Sequence, residues 1–350
     1  MEKLLVVGAV PDFKHHLRYG GATILMQNFI EYLTTEKIDF KFAQTNKFSN
    51  LKTGGKRHFL NKIYFLFQFF QYLPWCDTIM FNLSDNGVSH VFPKLSRISK
   101  IFKKRIVLRK FGGSYKVYFD KLSRNKQVEI VAAINHCDLI LLETKSAIDH
   151  MKSLTSDQVN IQWFPNVRNA STIRKDTQQF NKRLGFISQI SDEKGIGDLV
   201  SIAEKLAPEY TVDVYGYIAE KKYINFDWES HNMQYHGEVS SDAVPDILKN
   251  LLLLLLTSYR EGYPGIIIEA LSIGLPVLTT NVGGIPEMIQ DGIEGFIISP
   301  GDIDAVINKI KSLTPEKYAN MCDCALRAFM EKFEAGSTNK RILKQIKAIQ

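Results

Sequence analysis

SYREGYPGIIIEALSIGLPVLTTNVGGIPEMI, residues 258–289, follows a run of six leucines, 251–256. The leucine run predicts a buried strand, Leu251–Leu256, that ends at the polar Thr257 and Ser258. Pro264 then predicts the first position of a new helix, where a missing N–H goes unnoticed. Gly274 supplies the C-terminal stop, so the helix covers 264–273. Glu261 stands just before this helix and Glu269 within it. The unpaired N–H groups of Gly265, Ile266 and Ile267 make an anion-binding end between the two carboxylates. A phosphate at the middle with hydroxyl groups on either side is what a nucleotide-sugar presents.

Outward from this stretch, apolar strand-like runs alternate with amphipathic helical ones. The strands are expected at Leu4–Val7, Thr78–Phe81, Arg105–Leu108, Leu139–Leu142, Leu184–Ser188, Thr211–Tyr215, Leu251–Leu256, Pro276–Thr280 and Gly295–Ile298. Continuous apolar strands between helices imply parallel sheets covered on both faces. The polar, aperiodic stretch 165–183 predicts a linker between two such domains. The fold class is therefore α/β, with a length of 350 residues and 45% hydrophobic content to support two cores. Ligands of open α/β sheets bind beyond the carboxyl ends of the strands, where Glu261, Lys194 and Gly112 all fall. The tail 340–349 has the pattern of a basic amphipathic helix.

Composition narrows the function classes. Four cysteines give no disulfide framework, and the C-x-C at Cys322 and Cys324 has no histidine cluster beside it. The cysteines read as reduced packing residues of a cytoplasmic protein. No apolar run reaches the length of a membrane span, and the first residues are too short and strand-like for a signal peptide. The net charge of +7 is concentrated in KRHFLNKIYFLFQFFQYLPW (56–75) and KLSRISKIFKKR (94–105). Such segments suit anionic lipid headgroups, a peripheral membrane contact. Apolar positions 59, 60, 63, 66, 67, 70 and 73 also follow helical spacing, so core packing accounts for the first segment equally well. No recognition-helix or RNA-binding motif accompanies the charge, which argues against nucleic acid. Asp302 and Asp304 form an Asp-x-Asp, but after Pro-Gly and before AVINKIKSL they read as a helix cap and a first-turn acid, so no metal is expected. The histidines lack ligand spacing; His90 is placed in a loop, and His15 and His16 are adjacent.

The ordered motifs FISQISDEKGIGDL (186–199), YHGEVS (235–240), the two-glutamate run, GLPVLTTNVGGIPEMI (274–289) and DGIEGFIISPGD (291–302) resemble the C-terminal half of the family 4 glycosyltransferases, retaining enzymes of GT-B fold. YGGATILMQNFIEYL (19–33) is similar to that family's first glycine loop and helix, and FPNV (164–167) to its interdomain turn. The resemblance implies two doubly wound Rossmann-like domains facing across a cleft. These would be an acceptor-binding domain at 1–168, a nucleotide-sugar-binding domain at 169–332, and a last helix, 333–350, crossing back to the first. It implies Glu261 as the catalytic residue, holding donor-sugar hydroxyls near the reacting carbon. Glu269 would take the ribose, and the backbone of Gly262, Tyr263, Pro264, Gly265, Ile266 and Ile267 would hold the diphosphate. Lys194 would add a charge, and Gly21 would let the N-terminal loop approach.

Two departures stand out. Gln189 occupies the place of the family's phosphate-binding Arg, and Phe111 that of its sugar-contacting His. Arg109, Gly112, Gly113 and Ser114 are the candidates on the acceptor or sugar side. The implied partners are a nucleotide-sugar donor, a UDP-sugar before a GDP-sugar, and a glycan or lipid-linked acceptor of bacterial surface polysaccharide. No cofactor is expected, since the nucleotide-sugar is itself the substrate. An epimerase of similar architecture and a non-catalytic nucleotide-sugar binder are the alternatives.

Overall fold

The computed structural model describes residues 3–11, 21–48, 54–112, 115–178 and 180–349. The chain forms two compact units, Met1–Asn166 with Ala335–Gln350, and Val167–Glu334. Each holds one six-stranded sheet in which every pairing is parallel.

In the first unit the strands are β1 (Leu4–Gly8), β2 (Phe40–Gln44), β3 (Thr78–Leu83), β4 (Arg105–Lys110), β5 (Leu139–Leu142) and β6 (Asn160–Trp163), in spatial order β2-β1-β3-β4-β5-β6. The second unit has β7 (Arg183–Ile187), β8 (Thr211–Tyr215), β9 (Met233–Tyr235), β10 (Leu253–Leu256), β11 (Val277–Thr280) and β12 (Gly295–Ile298), in order β12-β11-β10-β7-β8-β9. Central strands are apolar on both faces because helices cover both; β3 and β10 are buried throughout. Phe69, Phe81, Phe92 and Leu108 centre the first core, and Phe186, Val214, Leu253, Leu278 and Phe296 the second.

β2, β6 and β9 were not foreseen. All three are sheet edges, short and half-polar (FKFAQ, NIQW, MQY), and lack the continuous apolar run that marks a strand buried on both faces. The leucine run enters the ladder only at Leu253; Leu251 and Leu252 are buried before it. His90 ends a short helix, Asp85–His90, instead of lying in a loop. The final helix, Ala335–Lys347, belongs to the first unit and buries Ile342, Leu343 and Ile346, and its Arg341 guanidinium donates to the Trp163 carbonyl at 3.3 Å.

The helix Gly55–Tyr72 corrects the packing account of residues 56–75. Its core face is Phe65 and Phe69, whereas Phe59, Ile63, Phe67 and Phe70 are 63%, 50%, 65% and 48% exposed. Positions 59, 63, 67 and 70 share one helical face, so this part of the apolar stripe is turned to the outside, whereas Leu66 packs against the core and Leu73 is buried in it.

Candidate active site

The second unit assembles the two-glutamate run at the carboxyl ends of β7 and β10. β10 leads into Thr257 and Ser258, both buried. The Thr257 hydroxyl donates to the Gly195 carbonyl at 3.0 Å, tying this crossing to the turn after β7. Gly195 has φ of +77°, and a Cβ there would stand 2.1 Å from the Thr257 oxygen, so only glycine lets the two loops touch. Asp192–Lys194 form a 3-10 turn that presents Lys194. Its ammonium lies 2.7 Å from Glu261 Oε1, and the Ser258 hydroxyl donates to the same oxygen at 2.8 Å. Lys194 and Glu261 side chains are 18% and 10% exposed, so the pair is well sheltered from solvent yet open on one side.

The loop carrying Glu261 is held from below. The Gly284 N–H donates to the Gly262 carbonyl at 2.8 Å. Gly283, at φ of +57°, leaves no room for a Cβ, which would sit 2.1 Å from the Glu261 carbonyl. Gly283 and Gly284 thus act as the seat of the glutamate loop.

Pro264 is the residue before the helix and not its first position: it is extended, at φ −68° and ψ 121°, and the helix is Gly265–Ile273. With ψ in the extended range it serves as the N-cap, and its ring offers no acceptor, so Pro264 itself caps none of the first-turn N–H groups of Gly265, Ile266 and Ile267. Gly274 closes the helix in the left-handed region at φ +85°. Tyr263 and Ile267 turn into the core, while Gly262, Gly265 and Ile266 remain half-buried. Within this helix, Glu269 accepts from Arg168 Nε at 2.8 Å. Arg168 escaped the sequence reading because 101 residues separate it from Glu269. Its only signal was adjacency to the FPNV turn. Gln189 accepts a hydrogen bond from the Tyr217 hydroxyl at 2.8 Å.

The remaining candidates lie in the first unit. Gly21 opens the helix Gly21–Thr35, is exposed, and a Cβ there would meet nothing within 4 Å among the described residues. Arg109 is 1% exposed, its guanidinium 3.7 Å from the Phe164 ring centre and 4.8 Å from that of Phe111. Burial lowers its pKa to about 9, against the opposing pull of Glu143, and the side chain does not reach the surface. Phe111, itself buried, packs its ring against this cation. Gly112, at φ +90°, donates its N–H to Glu143 Oε2 at 2.8 Å. Gly113 and Ser114 lie outside the described residues, as do Gly20, His15 and His16. Sequence reasoning missed Glu143, a buried carboxylate at the end of β5 whose pKa burial raises. An acid directly after the strand LILL was the available signal. Lys110, its own pKa lowered by burial, pairs with Asp85 at 2.7 Å. A cavity of about 690 Å³ opens beside this cluster, reached by Ala9, Asn46, Ser84 and Phe111 from the ends of β1–β4 and walled by His58 and Asn61 of the 55–72 helix.

Asp302 caps the helix Ile303–Lys311 by accepting from the Ala305 N–H at 3.0 Å, and Asp304 pairs with Lys205 at 2.7 Å. The Asp-x-Asp is accounted for by these contacts.

Residues 170–324 match the family model described as glycosyl transferases group 1. N-acetyl-alpha-D-glucosaminyl L-malate synthase of Bacillus anthracis is 24% identical over 60% of this chain and 57% of its own length. The capsular polysaccharide biosynthesis glycosyltransferase CapM of Staphylococcus aureus is 28% identical over 37% of this chain and 36% of its own. The chain thus spans little more than half the length of the first of these curated relatives and about a third of the second. Among solved structures, Anabaena HepE in complex with UDP superposes with a TM-score of 0.72 at 15% identity, covering 99% of this chain and 100% of that one. Sucrose-phosphate synthase from Thermosynechococcus elongatus gives 0.76 at 13%, covering 100% of both. These likenesses show the fold: two Rossmann-like units of GT-B architecture.

Proposed function

From a chain of GT-B fold whose residues 170–324 match the glycosyl transferases group 1 family, we propose a retaining transferase that moves a sugar from a nucleotide-sugar onto a hydroxyl of a glycan or lipid-linked acceptor. A UDP-sugar is the favoured donor and bacterial surface polysaccharide the favoured product. The observation that carries this reading is the start of the 265–273 helix, left uncapped by Pro264 and set between the Lys194–Glu261 and Arg168–Glu269 pairs.

Each group has a role in that reaction. Main-chain N–H groups at the helix start receive the diphosphate, and the helix dipole favours its charge. Lys194 meets the charge that grows on the leaving diphosphate as the sugar–phosphate bond breaks. Glu261 accepts hydrogen bonds from donor-sugar hydroxyls, and Glu269 from the ribose. Attack on the same face, with the leaving phosphate taking the acceptor's proton, retains the anomeric configuration without a second carboxylate. Lys194 and the amides supply the positive charge, so no divalent ion is invoked; transfer should persist in excess chelator. Incubation with UDP- and GDP-sugars should yield an α-linked product from an α-linked donor, read from the anomeric proton coupling. Conversion of the donor with no acceptor present would favour the epimerase, and binding without turnover the non-catalytic binder.

The acceptor side is proposed to meet a membrane. No described helix is long and apolar enough to cross a bilayer. The exposed stripe Phe59, Ile63, Phe67 and Phe70 lies on a helix that also carries Lys56, Arg57 and Lys62, the make-up of an interfacial helix on anionic lipid. The same helix walls the 690 Å³ cavity with His58 and Asn61, which would put a lipid-linked acceptor's head near the N-domain strand ends at the inner, cytoplasmic face. Phe59→Ser with Phe67→Ser should lower affinity for phosphatidylglycerol vesicles at least about tenfold, since each buried aromatic contributes on the order of 1.5–3 kcal/mol. Both side chains are exposed, so thermal stability should hold. Vesicle binding unchanged by the double variant would sink the membrane contact.

A further inference from the structure

Arg168 is fixed where it stands by its own backbone: its N–H donates to the Phe333 carbonyl at 3.0 Å. Its guanidinium is divided among three tasks. Nε donates to Glu269 at 2.8 Å and Nη1 to the Val167 carbonyl at 3.1 Å. Nη2 lies against the first residue of the 265–273 helix, so close that a Cβ on Gly265 would stand 2.0 Å from it. A cation at the positive end of a helix is unfavourable by itself. Glu269 offsets part of that charge, and an anion at the helix start would offset the rest. On β7's side, Gln189 is neutral and its oxygen already accepts from Tyr217.

Resting on the nucleotide-sugar reading above, we propose that Arg168 is the second cation of the diphosphate site. It supplies from the interdomain turn the charge that Gln189 does not. Gly265 is required because its missing side chain is what brings the guanidinium to the helix start. Lys194 and Arg168 would then both act on the phosphates received by the main-chain N–H groups at the helix start.

The test is calorimetric titration of Arg168→Gln with UDP, UMP and uridine, and with the guanosine series should the uridine series not bind. Glutamine keeps an N–H donor at the level of Nε for Glu269 and removes the charge together with the Nη1 and Nη2 donors. The expected result is a loss of roughly 10- to 100-fold for UDP, the range of a charge-assisted hydrogen bond, with uridine affinity held within about threefold. Equal losses for UDP and uridine would show that Arg168 acts only by orienting Glu269, and UDP binding unchanged would remove it from the site; either overturns the proposal. A wild-type chain that binds neither UDP nor GDP would overturn the nucleotide-sugar reading itself, a result separate from these. Circular dichroism and the melting temperature of each variant accompany the titrations, and Arg168→Lys, which keeps the charge on a similar stem, should retain more UDP affinity than Arg168→Gln.

Discussion

Glu261→Ala is expected to lower kcat/KM for sugar transfer by about 10²- to 10³-fold, the effect of removing one preorganised polar group from a reacting centre. The same substitution should leave affinity for the nucleoside diphosphate unchanged or raise it. The reason is the pairing: Glu261 holds the Lys194 ammonium at 2.7 Å, in a site where both side chains are mostly sheltered. Without the carboxylate, that ammonium is an unneutralised charge facing an anion site, and a diphosphate gains what the glutamate gave up. Lys194→Ala should behave in the opposite way, weakening diphosphate binding and transfer together. The two variants thus separate a sugar-side acid from a phosphate-side base within one ion pair. Steady-state kinetics with the preferred donor and calorimetry with its nucleoside diphosphate measure both quantities. A Glu261→Ala protein that loses diphosphate binding in step with transfer would mean that the carboxylate only holds the loop.

The sequence carried the second unit far better than the first, and the causes are physical. A strand covered on both faces must be apolar at every position, so the leucines ahead of Thr257 announced β10, and the spacing from Glu261 through Pro264 to Gly274 announced the helix that follows. Edge strands obey a weaker constraint. Phe40–Gln44 and Met233–Tyr235 have one neighbour each and tolerate lysine and glutamine, which erased their signal. The helix 55–72 misled for a different reason. Its aromatic residues satisfy a helical period on two faces, and periodicity alone does not say which face meets the core; Phe65 and Phe69 do, and Phe59 and Phe67 do not. Arg168 was illegible because its meaning depends on Gly265 and Glu269, brought to it only by the closing of β7 onto β10. Arg109 was legible as a charge near a strand end, but its place between Phe111 and Phe164 was not.

Gly283→Ala should destabilise the chain by about 2–4 kcal/mol and abolish most transfer, whereas Gly292→Ala should cost about 1 kcal/mol and leave transfer intact. The two glycines share the left-handed backbone region, at φ +57° and +80°, so any residue with a Cβ bears a similar conformational cost at each. They differ in what lies beyond. A Cβ at Gly292 meets nothing within 4 Å, while at Gly283 it would stand 2.1 Å from the Glu261 carbonyl and 3.1 Å from that of Gly262. Those are backbone atoms, which yield only if the loop moves. Moving it strains the Gly284 N–H to Gly262 hydrogen bond at 2.8 Å and carries Glu261 away from Ser258 and Lys194. The difference between the two variants is therefore the energy with which residues 283–284 seat the glutamate loop, with the shared backbone cost cancelled. Urea unfolding at unchanged slope gives the stability difference, and kcat the functional one. If Gly283→Ala matched Gly292→Ala in both, the position of Glu261 would have to be set by the Ser258 and Lys194 contacts alone, and the close packing of 283 beneath it would have no part in catalysis.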